Sequence, residues 1–190
     1  MEELIEAFDP KGLNKSPAIF NMEKLVWFNA EYIRKLGAAD YLELVKPWFD
    51  QALADKNIDY DRLAELMQGR TEVFNRVPDM VRFLNQMPEY DLDLYNNKKQ
   101  KSTLESSLDS LQFILPILKK IDTWQETDIH DAVMEAIKTA ERKNGTVMWP
   151  LRIAISGLLS TPGGAIEIAY LLGKDECISR VENAIVRLSQ

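Results

Sequence analysis

The chain has 190 residues, enough for one large domain or two small ones, and its 46% hydrophobic and 28% charged residues describe a folded protein rather than a disordered or fibrous one. A net charge of −7 argues against a simple nucleic-acid binder, because phosphate affinity comes largely from clustered Lys and Arg. No run approaches the roughly 18 apolar residues of a membrane span, the acidic start MEELIEAFDPKG lacks a signal-peptide layout, and the lone Cys177 rules out an internal disulfide, so a cytoplasmic location is expected.

In chain order, helical periodicity dominates and no alternating β-branched run calls for a sheet, so the expected class is all-α. A first helix is predicted over 22–36, with Asn21 as N-cap and Gly37 as its stop. Its apolar stripe, Leu25, Phe28, Tyr32 and Leu36, is expected to be buried. A second begins near Asp40 and meets Pro47, which should kink or end it for want of a backbone donor. A third runs over 59–68 and stops at Gly69, and Val77-Pro78 opens a fourth with proline at its first position.

Residues 87–101, MPEYDLDLYNNKKQK, are polar and irregular and suggest a subdomain boundary. Lys98, Lys99 and Lys101 lie close together there, and the plainer reading of such a run is a solvated loop. Ser102 and Glu105 fit a capping box before a long helix with Leu104, Leu108, Leu111 and Leu115 on one face. Thr123 and Glu126 fit another, before a helix ending at Gly145. Further helices are predicted from about Pro150, Pro162 and Asp175, making nine or ten in all, with no fixed-period repeat.

Enzyme-like residue sets are absent. His130 is the only histidine, which excludes a multi-histidine metal site and leaves one possible base for any triad, with no local signature around it. There is no P-loop, dinucleotide fingerprint or kinase signature. The expectation is therefore no catalytic residue and no metal site in this chain.

Two other features are more informative. On the first predicted helix, Lys24, Trp27, Glu31 and Arg34 form a second stripe, two cations flanking a tryptophan, which suits a phosphate backbone. A half-buried tryptophan edged by cations explains the pattern equally well. In WPLRIAISGLLSTPGG, residues 149–164, Pro150 at the first position of a helix would put Arg152 in the first turn, near free backbone N–H groups and the positive end of the dipole. Thr161 would cap the next helix and Pro162 would begin it. Gly163 and Gly164 would then each cost roughly 1 kcal/mol against alanine, and either a ligand pressing on the backbone or a loosely packed helix start accounts for them.

Residues 15–36, KSPAIFNMEKLVWFNAEYIRKL, and residues 148–176, MWPLRIAISGLLSTPGGAIEIAYLLGKDE, together resemble the C-terminal part of bacterial-type glutamyl-tRNA synthetase, a class I aminoacyl-tRNA synthetase. The resemblance covers nearly the whole chain. It implies an all-α, two-part anticodon-binding region preceded by the end of a stem-contact region: 1–36 stem contact, 37–95 first helical subdomain, 96–190 second helical subdomain. It assigns Lys24, Trp27 and Arg34 to tRNA stem contact. Arg70, in LMQGRTEVFNRVPD, matches an arginine that reads the last anticodon base, and Arg152, Thr161, Pro162, Gly163 and Gly164 match the segment contacting the other bases. Gly164 departs from the larger residue some relatives carry, which puts any apolar base contact there in doubt.

The implied function is tRNA binding and anticodon recognition within glutamate–tRNA ligase. The implied partners are tRNA(Glu) and, where discrimination is relaxed, tRNA(Gln), together with an upstream catalytic domain of the same polypeptide; no DNA or membrane partner is implied. The HIGH-like and KMSKS-like ATP signatures are not in this sequence, so the chain is expected to be a non-catalytic part of the full enzyme. No cofactor is expected here, ATP and Mg belonging to the catalytic domain. The alternative is a free-standing helical adaptor for a protein partner.

Overall fold

The computed structural model describes residues 2–6, 8–10, 19–53 and 57–190. Its helices are α1 (Glu2–Glu6), α2 (Met22–Lys35), α3 (Ala38–Leu53), α4 (Tyr60–Gln68), α5 (Val77–Asn85), α6 (Leu104–Lys120), α7 (Glu126–Thr139), α8 (Asn144–Ser156), α9 (Ala165–Leu172) and α10 (Lys174–Leu188). Short 3-10 turns occupy Phe74–Arg76 and Leu92–Tyr95. Among the described residues the only β pairing is an isolated bridge between Asn97 and Ser102. Residues 15–18, the start of the first family-like stretch, lie outside the described residues.

Several ends are set by local chemistry. Asn21 and Asp59 cap α2 and α4, accepting from the backbone N–H of Lys24 and of Arg62 at 3.0 Å. Gly69 ends α4, and Pro78 sits in the first turn of α5 where its missing N–H is not needed. Other ends differ from expectation because a side chain has a better partner elsewhere. The α6 box is formed by Thr103 and Ser106, one residue later than predicted, since Ser102 instead meets the buried Ser107 hydroxyl at 2.9 Å. The buried line is Ser107, Leu111, Ile114 and Leu118, while Leu104 is exposed.

Thr123 does not cap α7. Gln125 precedes the helix without a side-chain cap, and Glu126 is held by Arg62 of α4 through two bonds of 2.7 Å. The helix stops at Thr139, with Glu141 at φ 51°, and Gly145 belongs to α8 instead. Pro47 does not end α3, which runs through it to Leu53. The proline faces solvent, where the carbonyl it leaves free can be hydrated, while Val45 and Phe49 on either side stay buried.

The apolar core runs without a break from Ile33 in α2 to Ala184 in α10. Helix α3 packs on α4 and α5, α6 on α8 and α10, and α9 on α7 and α8. Three polar ties join early helices to late ones: the Arg62–Glu126 pair, Tyr170 Oη donating to Asp59 at 2.8 Å, and Arg180 of α10 donating to Phe83 O at 2.8 Å and Ile155 O at 2.7 Å. Cys177 is fully buried, and desolvation pushes its thiol up to about 12. The thiolate is the reactive species, so the folded chain should resist iodoacetamide at mildly alkaline pH. One carbamidomethyl group should then be gained in denaturant, which mass spectrometry would read directly.

The stripe expected to be buried on α2 is not. Leu25, Phe28 and Tyr32 are 49%, 45% and 70% exposed, Leu36 is half-buried, and the docked line is Val26, Ala30 and Ile33. The helical period was read correctly, but α2 is apolar on more than one face, and the face that docks carries Ala30 and Ile33.

Candidate nucleic-acid interface

Arg152 is not in a first turn. Helix α8 starts at Asn144, so Pro150 lies inside it and Arg152 sits in its second half, far from the free N–H groups. The helix survives the proline because Val147, Pro150, Leu151 and Ala154 all pack into the core. Its C-terminus is closed by Gly157 at φ 66°, where a Cβ would come within 2.9 Å of the Tyr90 ring. The chain then loops through 158–164 before α9.

That loop is organised from within. The Thr161 hydroxyl donates to Gly163 O at 2.6 Å, so it does not cap a helix; α9 begins at Ala165 with Gly164 in the cap position. Pro162 therefore precedes the helix, and the glycine pair carries no helix-propensity cost. Thr161, Pro162 and Gly163 are buried, and Gly164 alone of the four is half-exposed. Gly163 has a steric reason: a Cβ there would stand 2.8 Å from Glu167 Cβ and 3.2 Å from Leu66 Cδ1, whereas one on Gly164 would meet only the movable end of Glu167, 2.7 Å from its Oε2.

Arg152 is half-buried, and among the described residues its Nε is a buried nitrogen without a hydrogen-bond partner. Burial is the largest cause holding its guanidinium below the usual arginine range; the nearby Arg70 adds to this and Glu167 opposes it. So the fold brings Arg70, from the exposed end of α4, within electrostatic reach of Arg152. The cost that remains to Arg152 is chiefly desolvation, which an acceptor-rich ligand would relieve.

The α2 surface is tied to this corner. Gln68 Nε2 donates to Ile33 O at 3.1 Å and Leu36 O at 2.9 Å, and Asn29 Nδ2 donates to Glu72 O at 2.5 Å, bracketing Arg70. Lys24, Trp27 and Arg34 are exposed on the outer side of α2. Lys24 lies over the Phe28 ring at 5.8 Å, Trp27 packs edge-on to the same ring, and Arg34 pairs with Glu31. Arg70 also opens onto a groove of about 530 Å³ lined by Glu72, Arg76, Asp79 and Met80, where Arg76 pairs with Glu72.

Elsewhere the surface suits a polyanion less well. A groove of about 780 Å³ between α6 and α7 has an apolar floor containing Phe113 and Ile117, but Asp122, Asp128, Asp131 and Glu135 outnumber Lys120 on its rim. His130 is exposed and bonds to Asp131 at 2.9 Å. Lys98, Lys99 and Lys101 are exposed on the turn before α6. No group of three His, Cys, Asp or Glu among the described residues is placed to hold a metal, and no helix is long and apolar enough to cross a membrane.

With this geometry in hand, the family model described as "Anticodon binding domain" matches residues 40–185. The chain belongs to the anticodon-binding domain family. Among curated relatives, a glutamate–tRNA ligase from Clostridium tetani is 46% identical over 99% of the chain, and one from Clostridium acetobutylicum is 43% identical over all of it. The chain spans only 38% and 39% of the length of these two relatives. A solved glutamate tRNA ligase from Elizabethkingia meningosepticum superimposes with a TM-score of 0.79 over 98% of the chain and 36% of its own, at 24% identity, and so shares the fold. The free-standing adaptor alternative finds no support in these relatives.

The sequence pointed to Arg70 and Arg152, which the fold brings within electrostatic reach of each other, but not to Glu167, whose charge acts on Arg152. The available signal was a glutamate three residues after a glycine pair.

Proposed function

We propose that this chain binds tRNA and reads its anticodon as part of a glutamate–tRNA ligase, with tRNA(Glu) as the ligand. Arg152 carries the reading: a half-buried side chain that, among the described residues, makes no hydrogen bond or ion pair, set within electrostatic reach of a second arginine at the end of a neighbouring helix. Anticodon bases splayed from their loop present hydrogen-bonding edges to such donors, while Lys24 and Arg34, with Trp27 between them, meet the stem backbone. A net charge of −7 is compatible with this when the cations are concentrated on one surface.

Glutamate activation with ATP and Mg then belongs to the part of the relatives that this chain does not span, and no cofactor is assigned to the chain itself. That upstream part is also the partner that fits the exposed apolar side chains of Phe20, Met22, Leu25, Phe28 and Tyr32. The working compartment is the cytoplasm.

The test is titration of the chain with tRNA(Glu) at two salt concentrations. Affinity should fall with salt, at a log–log slope of about −0.7 per neutralised single-strand phosphate, and should fall again when the anticodon is replaced. Equal affinity for tRNAs of any anticodon would refute the reading. A narrower expectation concerns Arg70→Gln: it should relax preference at the last anticodon base by about tenfold, the worth of one arginine–base contact. Relative binding of tRNA(Glu) and tRNA(Gln) measures this.

A further inference from the structure

We propose that Asp59, Arg62, Glu126 and Tyr170 form a clasp of positioning residues that sets Arg70 against the 158–164 loop and Arg152, so that one anticodon loop meets both arginines at once. This rests on the anticodon reading above and adds to it the residues that fix its geometry; none of the four is given a contact with RNA.

Close packing sorts the helices into two groups. Helices α4 and α5 pack on α3, whereas α7, α8 and α9 pack on one another and α6 and α10 pack on α8. Arg70 belongs to the first group, and Arg152, in α8, to the second. The backbone of Arg70 moves with α4: its N–H donates to Met67 O at 2.9 Å, and the next residue, Thr71, is buried and bonded to Tyr41 of α3 at 2.7 Å. How the two arginines face one ligand therefore depends on how the two groups sit against each other.

At the α4 side of this junction four residues make one connected network. Glu126, in the first turn of α7, accepts from Arg62 Nε and Nη2, both at 2.7 Å. A two-point pair of this kind fixes an angle as well as a distance. Asp59 accepts from the Arg62 backbone N–H at 3.0 Å through Oδ1 and from Tyr170 Oη at 2.8 Å through Oδ2, so the residue that caps α4 also holds the last turn of α9. Helix α7 meanwhile has no side-chain cap, and Glu126 serves the junction instead.

The clasp is in line with the site. Arg62, Leu66 and Arg70 are spaced four apart and share one face of α4 and its closing turn. The first holds α7. The second lies against the loop, where a Cβ on Gly163 would stand 3.2 Å from Leu66 Cδ1, and the third is exposed. Elsewhere at the junction Arg180 ties α10 to the end of α5, so loosening the clasp lets α4 shift while that tie holds.

The test is a double-mutant cycle with the 190-residue chain and the anticodon stem-loop of tRNA(Glu), read by fluorescence anisotropy. Glu126→Gln combined with Tyr170→Phe keeps the side-chain shapes while removing the charge pair and the hydroxyl. It should weaken binding by about tenfold in the wild-type chain, but by about twofold or less in an Arg70→Ala chain, where the placement of α4 no longer matters to the ligand. Tyr170→Phe alone should show the same dependence on Arg70 with a smaller loss, of about threefold, and serves where the double variant does not fold. A clasp that only supports the fold would give equal losses in both backgrounds, and that result overturns the inference, as does unchanged affinity in the wild-type background. If the wild-type chain binds stem-loops of any anticodon equally, or Arg70→Ala costs no affinity, the anticodon reading fails at Arg70 and takes this inference with it. Thermal unfolding of each variant confirms that folded chains are being compared.

Discussion

Arg152→Ala is expected to weaken binding of the tRNA(Glu) stem-loop by about ten- to a hundredfold, the worth of a bidentate arginine–base contact of about 1–3 kcal/mol. The opposite sign is expected for stability. In the free chain this guanidinium is partly desolvated and its Nε is buried without a partner, and desolvation outweighs the favourable charge of Glu167, which Arg70 partly offsets. Removing such a group should leave the unfolding midpoint unchanged or raise it, whereas a structural arginine would lower it. Arg152→Lys should lose most of the affinity as well, because a point charge cannot reproduce the planar fork. Fluorescence anisotropy with a labelled stem-loop and a urea titration separate the two effects. A fall in stability with affinity unchanged would make Arg152 a packing residue and end its assignment to the anticodon.

The residues that sequence reading placed correctly are those whose partners are local. Asn21 and Asp59 cap helices by reaching the N–H three residues on, and Gly69 and Pro78 punctuate them through backbone chemistry alone. The misplaced residues all have a competing partner that periodicity does not register. Thr161 could cap a helix, but its hydroxyl closes on Gly163 O. Glu126 could complete a box, but Arg62, 64 residues earlier, takes both of its oxygens. Pro150 reads as a helix start only while the packing of Val147 and Leu151 is out of view.

The candidate site divides in the same way. Arg70 and Arg152 were legible as family-like positions, but their mutual approach depends on how α4 and α8 pack. The place of Glu167 beside residues 163 and 164 depends on two missing Cβ atoms, which no single-position reading assigns. The exposure of Phe28 and Tyr32 was illegible for another reason: apolar periodicity identifies a face that wants covering without saying which stretch of chain covers it.

Arg180→Met is expected to destabilise the chain by about 3–5 kcal/mol, the range found when one partner of a buried charged network is removed. Arg180 is 5% exposed. Its Nη1 donates to Phe83 O at 2.8 Å and Ile155 O at 2.7 Å, its Nη2 reaches Leu84 O at 3.5 Å, and its Nε donates to Glu176 at 2.8 Å. Phe83 and Leu84 lie in the last turn of α5, and Ile155 in the last turn of α8, where helix carbonyls have no partner of their own and the dipole is negative. One guanidinium thus satisfies the ends of two helices from a third. Methionine replaces much of the volume, so the loss measures the donors rather than a cavity. Arg180→Lys should be intermediate, keeping the charge but unable to span carbonyls on both helices. Because the buried acceptors are carbonyls rather than carboxylates, the difference between wild type and Arg180→Met should change little across mildly acidic pH. Urea unfolding at two pH values tests both points, and an unchanged midpoint would mean that water replaces the guanidinium at no cost. Since α8 also carries Arg152, RNA affinity should fall by less than stability while the variant remains folded.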